Sequence, residues 1–330
     1  MNPACPYSTA RILLVKTSSM GDIVHLLPAV TDIAQALPEA TIDWLVEEGF
    51  ADVPRLHPAL DEAIPVAMRR WRKHPWSAAT RSELRAFRAK MRGRRYDVVI
   101  DAQGLVKSAW LASSALGPLA GQGFRYAREP LAALFYTRRM AVPWTLPAIE
   151  ANRKLVAAVL GYPEPANPEP DYGLQAARLT AGWLGTTAYA VLLHGASAKR
   201  KLWPEANWIE LGQNLAKLSL RSVIPWGSAA EKSRAERLVK GIPDAVLAPQ
   251  LDLGQAASLL AGARLAIGVD SGLAHLAAAL GVSVVALFGG SDPGRTGVVA
   301  MRGRFARNLG NSGATPNPQE VIAAAAEALA

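Results

Sequence analysis

An α/β fold built from two doubly wound, parallel-sheet domains facing across a cleft is predicted by three features of this sequence. Apolar runs of strand length alternate with helix-period segments along both halves. The alternation is interrupted by Gly161-Tyr162-Pro163-Glu164-Pro165-Ala166-Asn167-Pro168-Glu169-Pro170, whose four prolines in ten residues read as a semi-rigid linker. The length of 330 residues suffices for two substantial cores. Repeated βα units demand parallel strands joined by right-handed crossovers, so the domains are expected at 1–165 and 166–330.

The elements follow in order. Arg11–Thr17 reads as a strand, Ile23–Leu37 as a helix, and Thr41–Glu47 and Ala63–Ala67 as further strands. Ser82–Met91 places Leu84, Phe87 and Met91 on one helical face with arginines around it. Tyr96–Ala102 is a buried strand, followed by helices at Leu105–Leu116 and Ile149–Leu160. Beyond the linker, strands are expected at Tyr189–His194, Arg221–Trp226, Ala245–Leu247, Leu265–Val269 and Val282–Phe288. Helices fit Pro204–Lys217, Ala229–Lys240, Leu253–Ala263, Leu273–Leu280 and Pro318–Leu329, the last free to pack back on the first domain.

A hydrophobic fraction of 50% argues against disorder. The single Cys5 makes no internal disulfide, which points to a reducing compartment. The amino terminus lacks a signal-peptide core and no apolar run reaches about 18 residues, so a cytosolic protein is expected. The net charge of +9 is uneven: between Arg69 and Arg95, eleven cations face only Glu83. Such a block is either a solvated helix face or a surface that attracts a polyanion, whether nucleic acid, an anionic membrane or a phosphorylated substrate.

The chemistry concentrates where strands run into helices. The strand Leu265–Val269 stops at Asp270-Ser271-Gly272 and gives way to a helix carrying His275. Ser271 or Asp270 can cap that helix, and Gly272 permits close backbone approach. The unpaired first-turn amides and the helix dipole make an anion site there. The first strand ends in Lys16-Thr17-Ser18-Ser19-Met20-Gly21-Asp22, where Asp22 is either a helix cap or a carboxylate presented at the sheet edge as a base. The strand ending at His194 runs into Gly195-Ala196-Ser197-Ala198, with Lys199, Arg200 and Lys201 ahead of Trp203-Pro204, cations that either serve a diphosphate or form a solubilising loop. After Pro225-Trp226-Gly227, Glu231 is placed to accept from sugar hydroxyls or to serve its own helix.

Absences narrow the field. No Asp-x-Asp pair, no Walker loop and no Gly-x-Gly-x-x-Gly follows the first strand. His25, His57, His74, His194 and His275 lack metal-ligand spacing, so neither a metal nor a cofactor is expected.

Together these stretches resemble the ADP-heptose transferases of lipopolysaccharide core synthesis, glycosyltransferase family 9. The likeness rests on Val15–Asp22, Arg69–Lys73, Asp101–Ser108, Ala127–Leu131, Lys201–Pro204, Pro225–Gly227 and Val269–His275, in order along nearly the whole chain. The resemblance implies a GT-B fold, with an N-terminal acceptor-binding and a C-terminal nucleotide-sugar-binding domain. It implies inverting, metal-independent transfer of heptose from ADP-L-glycero-β-D-manno-heptose to the inner 3-deoxy-manno-octulosonate (Kdo) of Kdo2-lipid A. It maps Asp22 to the general base and Lys201 to the diphosphate. Ser197, Glu231, Leu251, Asp270, Ser271, Gly272 and His275 become donor contacts. Ser19, Gly21, Arg69, Arg70, Arg72, Lys73, Gln103 and Arg128 are expected to meet the acceptor. Family members carry threonines where Ala196 and Ser197 stand and a methionine at Leu251, a volume-conserving exchange.

On this reading the basic block faces a lipid bearing phosphates and Kdo carboxylates, and the enzyme is peripheral on the cytoplasmic face of the inner membrane. Trp71 and Trp76 would lie at the membrane interface or in the core. The alternatives are the enzyme that adds the second heptose, a nucleotide-sugar 2-epimerase of similar fold, and a basic nucleic-acid or membrane adapter. Aromatics too scattered for base stacking argue against nucleic acid.

Overall fold

The computed structural model describes residues 7–164, 166–196 and 198–330; Cys5, Ser197 and the expected boundary residue Pro165 lie outside them. The chain divides into two compact units, Met1–Pro168 and Glu169–Ala330.

In the first unit, strands β1 (Arg11–Val15), β2 (Thr41–Glu47), β3 (Leu60–Val66), β4 (Val98–Asp101), β5 (Leu119–Gln122) and β6 (Arg138–Met140) form one sheet in the order β3-β2-β1-β4-β5-β6. Every pairing is parallel. The helices are α1 (Met20–Val24), α2 (Leu27–Ala36), α3 (Asp52–Arg55), α4 (Met68–Lys73), α5 (Ala78–Arg92), α6 (Val106–Ala112) and α7 (Ala148–Leu160), with a 3-10 segment at Pro130–Phe135. One face of the sheet packs Leu13, Val15, Leu45 and Val99 against Trp71, Phe87, Met91 and Ala109 of α4, α5 and α6, with Ala132 and Ala133 of the 3-10 segment.

The second unit repeats the plan. Strands β7 (Tyr189–Leu193), β8 (Arg221–Ile224), β9 (Val246–Leu247), β10 (Leu265–Val269), β11 (Ser283–Phe288) and β12 (Ala306–Gly310) are ordered β12-β11-β10-β7-β8-β9. Between and after them run α8 (Glu205–Lys217), α9 (Ala229–Gly241), α10 (Leu253–Ala261), α11 (Gly272–Ala279), α12 (Pro293–Thr296) and α13 (Pro318–Leu329). Trp203 and Trp208 meet edge to face in the core, ring centroids 5.0 Å apart. The terminal helix α13 buries Val321, Ala324 and Ala325 in this same core.

In each unit the first and fourth strands lie side by side and the chain winds away from them in opposite directions. The carboxyl ends of β1 and β4, and of β7 and β10, are therefore the switch points where doubly wound sheets bind ligands.

Three strands escaped the sequence reading. The edge strands β6 and β12 carry Arg138-Arg139 and Arg307-Asn308 and have no apolar run to reveal them. Strand β5 contains Gly121, which the Tyr136 ring requires: a Cβ there would lie 2.4 Å from it. The helix expected over Ile23–Leu37 is two helices, because Pro28 tolerates only the first turn of a helix and restarts the chain at Leu27. No described helix is long and apolar enough to cross a membrane.

Candidate functional site

At the first switch point, the loop leaving β1 carries Asp22 into the first turn of α1. Asp22 Oδ2 accepts from the Ser19 amide and the Ser19 hydroxyl, both at 2.9 Å. The carboxylate is therefore part of a cap, yet the cap uses one oxygen. Oδ1 has no hydrogen-bond partner among the described residues. Burial pushes this carboxyl up, but the Lys16 ammonium, the two Ser19 bonds and His25 outweigh it and hold the group below its ordinary value. Lys16 is itself buried and donates to Ala102 O at 2.7 Å and Asn152 Oδ1 at 3.1 Å, which fixes its charge behind the loop.

The neighbouring strand clamps this loop. Gln103, just past β4, accepts from both the amide and the hydroxyl of Thr17 at 2.8 Å and donates to Ser18 O at 3.1 Å. Gln103 is in turn held by the fully buried Asp101, which accepts from the Gln103 amide (2.9 Å), the Ser108 hydroxyl (2.9 Å) and the Tyr136 hydroxyl (2.8 Å). Gln103, expected as an acceptor contact, also positions the loop of Asp22 through its side-chain amide. Gly104 follows with φ +68°, a conformation glycine adopts without strain, and a Cβ there would come within 2.9 Å of Gln122.

The cations of α4 begin at the same sheet edge. The Glu47 amide donates to Thr17 O at 3.1 Å and its carboxylate accepts from the Arg69 amide at 3.0 Å, tying β1, β2 and α4 together. The Arg69 guanidinium lies 4.8 Å over the Phe50 ring. Arg70 pairs with Glu48 at 3.0 Å and Glu83 at 2.7 Å, while Arg72 and Lys73 are exposed with no ion pair among the described residues. Arg128 is also exposed. Lys90 and Arg94 bind Glu62, and Arg94 also reaches Asp43. Counting charges along the sequence overstated the block, because Glu48, Glu62 and Asp43 arrive from other elements. The two tryptophans part company: Trp71 is 6% exposed in the core and Trp76 is 84% exposed.

At the second switch point, Lys201 Nζ lies 2.5 Å from Asp270 Oδ2, bridging the loops after β7 and β10. The Ser291 hydroxyl, from the loop after β11, donates to the same oxygen at 2.5 Å, and His275 Nε2 is 3.9 Å from Oδ1. Burial alone would raise Asp270; bonds from His275, Lys201 and Ser291 overcome it and hold the carboxyl far below its ordinary range. Ser271 occupies the cap position of α11 but makes no capping bond, and its hydroxyl is buried without a partner. Ser228, Asp252 and Asn317 all cap their helices. The Ser271 hydroxyl thus stands at the start of α11 without a partner among the described residues. Gly290 lets the loop after β7 pack closely: a Cβ there would sit 2.9 Å from the Arg200 side chain and 3.1 Å from the Lys201 stem.

Glu231 stands on the other side of β7. Its Oε2 accepts from the amides of Gly227 at 2.8 Å and Ser228 at 3.1 Å in a reciprocal cap of α9. Its Oε1 faces Gly195, where a Cβ would come within 2.5 Å, so the carboxylate also borders the loop after β7. Leu251 is half-buried just ahead of α10. The structure thus gathers Ser19, Gly21, Asp22 and Gln103 at one edge and Lys201, Asp270, Ser271, Gly272 and His275 at the other. The sequence reading missed Lys16, Glu47, Asp101 and Asn152, and it missed Ser291. Lys16 stood within the quoted motif, but nothing local marks Ser291 as a partner of Asp270.

The model of glycosyltransferase family 9 (heptosyltransferase) matches residues 84–321. The chain is 48% identical over 302 residues to lipopolysaccharide heptosyltransferase 1 of Pseudomonas aeruginosa, covering 91% of this chain and 84% of that one. It is 45% identical to the protein of the same name from Escherichia coli K12, covering 87% of this chain and 90% of that one. Among solved structures it is similar to the E. coli heptosyltransferase WaaC with ADP, at a TM-score of 0.87 and 40% identity, covering 96% of this chain and 99% of that one. The same enzyme has also been solved with ADP-2-deoxy-2-fluoro heptose. The two doubly wound units are those of the GT-B architecture.

Proposed function

This chain belongs to glycosyltransferase family 9, and from that membership we propose that it transfers L-glycero-D-manno-heptose from ADP-heptose to the inner Kdo of Kdo2-lipid A in lipopolysaccharide core synthesis. The observation that carries the reading is the second switch point. There an unpartnered buried Ser271 hydroxyl and the start of α11 adjoin the Lys201–Asp270 pair, a cradle for a pyrophosphate. The names of the relatives and the ADP and ADP-sugar complexes of WaaC support a nucleotide-sugar donor.

The chemistry follows from charge. ADP leaves readily, so one carboxylate is enough, where a glycoside hydrolase needs two. Asp22, ionised, takes the proton of the acceptor hydroxyl as that oxygen attacks the anomeric carbon from the face opposite ADP, and the configuration inverts. The bond from the anomeric carbon to the β-phosphate oxygen breaks, and Lys201 with the amides at the start of α11 meets the charge that grows there. Asp270 orients Lys201 and His275 for that task. Ser197, Glu231 and Leu251 would complete the donor contacts. Ser19, Gly21, Arg69, Arg70, Arg72, Lys73, Gln103 and Arg128 would serve the acceptor, whose phosphates and carboxylates suit the cations. Such an acceptor places the enzyme on the cytoplasmic face of the inner membrane. Incubating the protein with ADP-heptose and Kdo2-lipid A should give a product heavier by one heptose; transfer only to an already heptosylated acceptor would assign the second addition instead.

A further inference from the structure

On the face of the first sheet covered by α4, α5 and α6, the 3-10 segment Pro130–Phe135 turns Ala132 and Ala133 into the core and leaves Leu131 and Leu134 each 64% exposed. Beside it opens a cavity of about 470 Å³ lined by Met68, Val106, Lys107, Trp110, Glu129 and Phe135. The lining joins α4, α6 and the two ends of the leucine segment. Glu129 uses one carboxylate oxygen on the Val106 amide at 2.8 Å, and Arg88 of α5 lies 5.5 Å over the Trp110 ring. An apolar hollow is therefore flanked by protruding leucines and rimmed by cations. Arg72 and Lys73 of α4 add charge without ion pairs among the described residues.

We propose that this face, with Leu131 and Leu134 as its wedge, docks on an anionic phospholipid bilayer. Charge complementarity selects the occupant: a neutral protein groove would satisfy the leucines but not the rim, whereas an anionic interface satisfies both. Burying the leucines supplies the apolar part of the binding and the cations the electrostatic part, and neither alone holds a protein firmly. The face also adjoins the candidate site, because α6 starts directly after Gln103 and Gly104, and the Glu129 amide donates to Gly104 O at 3.1 Å. The inference rests on the reading that the acceptor is membrane-borne, yet it concerns binding and not transfer.

The test is co-sedimentation of the full chain with phosphatidylglycerol-containing vesicles and with phosphatidylcholine vesicles, comparing wild type, a Leu131→Ser/Leu134→Ser variant and Leu218→Ser. Leu218 is a similarly exposed leucine of the second unit, 57% accessible. Wild type and Leu218→Ser should bind the anionic vesicles, more weakly as salt rises, and the double variant should bind roughly tenfold less or worse. Transfer to a water-soluble, deacylated acceptor should be the same in all three. Equal vesicle binding by the double variant overturns the proposal, as does equal binding of wild type to both vesicle types. A wild-type dimer that the double variant dissolves, with vesicle binding unchanged, also overturns it and assigns the face to a second copy. Absence of transfer to any acceptor, with vesicle binding as expected, defeats the proposed reaction and leaves the docking face standing.

Discussion

The Lys201 ammonium meets the Asp270 carboxylate at 2.5 Å, although 69 residues separate them in sequence. The contact joins the loops of β7 and β10, adjacent strands of the switch point, with both side chains partly screened from solvent. Lys201→Ala leaves Asp270 to Ser291 and His275 and removes the cation proposed for the β-phosphate. ADP should bind about tenfold or more weakly by calorimetry, and kcat should fall by a larger factor, since the charge grows in the transition state. Equal losses in ADP affinity and kcat/KM would instead mean that Lys201 only holds the ground state.

Asp22 serves as a cap with one oxygen and offers the other. Asp22→Asn keeps an acceptor for the Ser19 amide and removes the base. Transfer should fall roughly a thousandfold while ADP affinity and stability stay near wild type. Asp22→Ala should add about 1 kcal/mol of destabilisation from the lost cap. If Asp22→Asn turns over normally, the residue is structural.

Acid should affect this protein in two steps of the same sign. Burial pulls His194 down to about 4, with Arg234 adding repulsion. The folded chain keeps this ring neutral while the unfolded chain protonates it near the ordinary 6.5. Stability from this group is complete above pH 6.5 and falls by roughly 3 kcal/mol as pH drops towards 4. Asp22 and Asp270 are depressed carboxyls, so their contribution is complete above their ordinary 3.8 and drains away only below it. Urea titrations at stepped pH should show a slope between 6.5 and 4 that His194→Phe removes and Asp270→Asn does not. Asp22, the proposed base, stays ionised throughout that window, so kcat/KM should show no acid limb from it above pH 3.8.

The two tryptophans of the basic segment give a sharp contrast. Trp71, buried with its indole N–H donating to Glu83 at 2.6 Å, should cost about 3–5 kcal/mol on truncation to alanine. Trp76→Ala should change stability by no more than about 0.5 kcal/mol in the same denaturation assay.

Gln103 acts on the loop of Asp22 from the neighbouring strand. Gln103→Ala frees Thr17 and Ser18 and should lower kcat about tenfold with little change in donor KM, because the donor cradle lies on other strands. A rise in acceptor KM with kcat intact would show direct contact instead.

Much of this was legible in the order of residues. Strands β2 and β10 and helix α13 fall at the residues expected, because long apolar or helix-period runs leave no competing reading. The start of α11 at Ser271 could be placed because hydroxyls, glycines and acids punctuate strand ends, whereas the helix expected after Asp22 begins earlier, at Met20, with Ser19 as its cap. The edge strands β6 and β12 could not be placed, since they are held by backbone pairing and none of their side chains is fully buried to leave an apolar run. The free charge of the Arg69–Arg95 block was unreadable too: Glu48, Glu62 and Asp43 reach it through space.

The sequence by itself determined the two doubly wound units and the loops that carry chemistry, because periodicity and turn chemistry act over a few residues. The family was legible only through the resemblance of its motifs. Only the tertiary structure decided that Ser271 caps nothing, that Gln103 and Lys16 brace the loop of Asp22, that Ser291 joins Asp270, and which tryptophan and which leucines face water. Those are pairings between strands distant in the chain, and a hydrogen bond or a buried surface depends on where atoms meet, which no local pattern records.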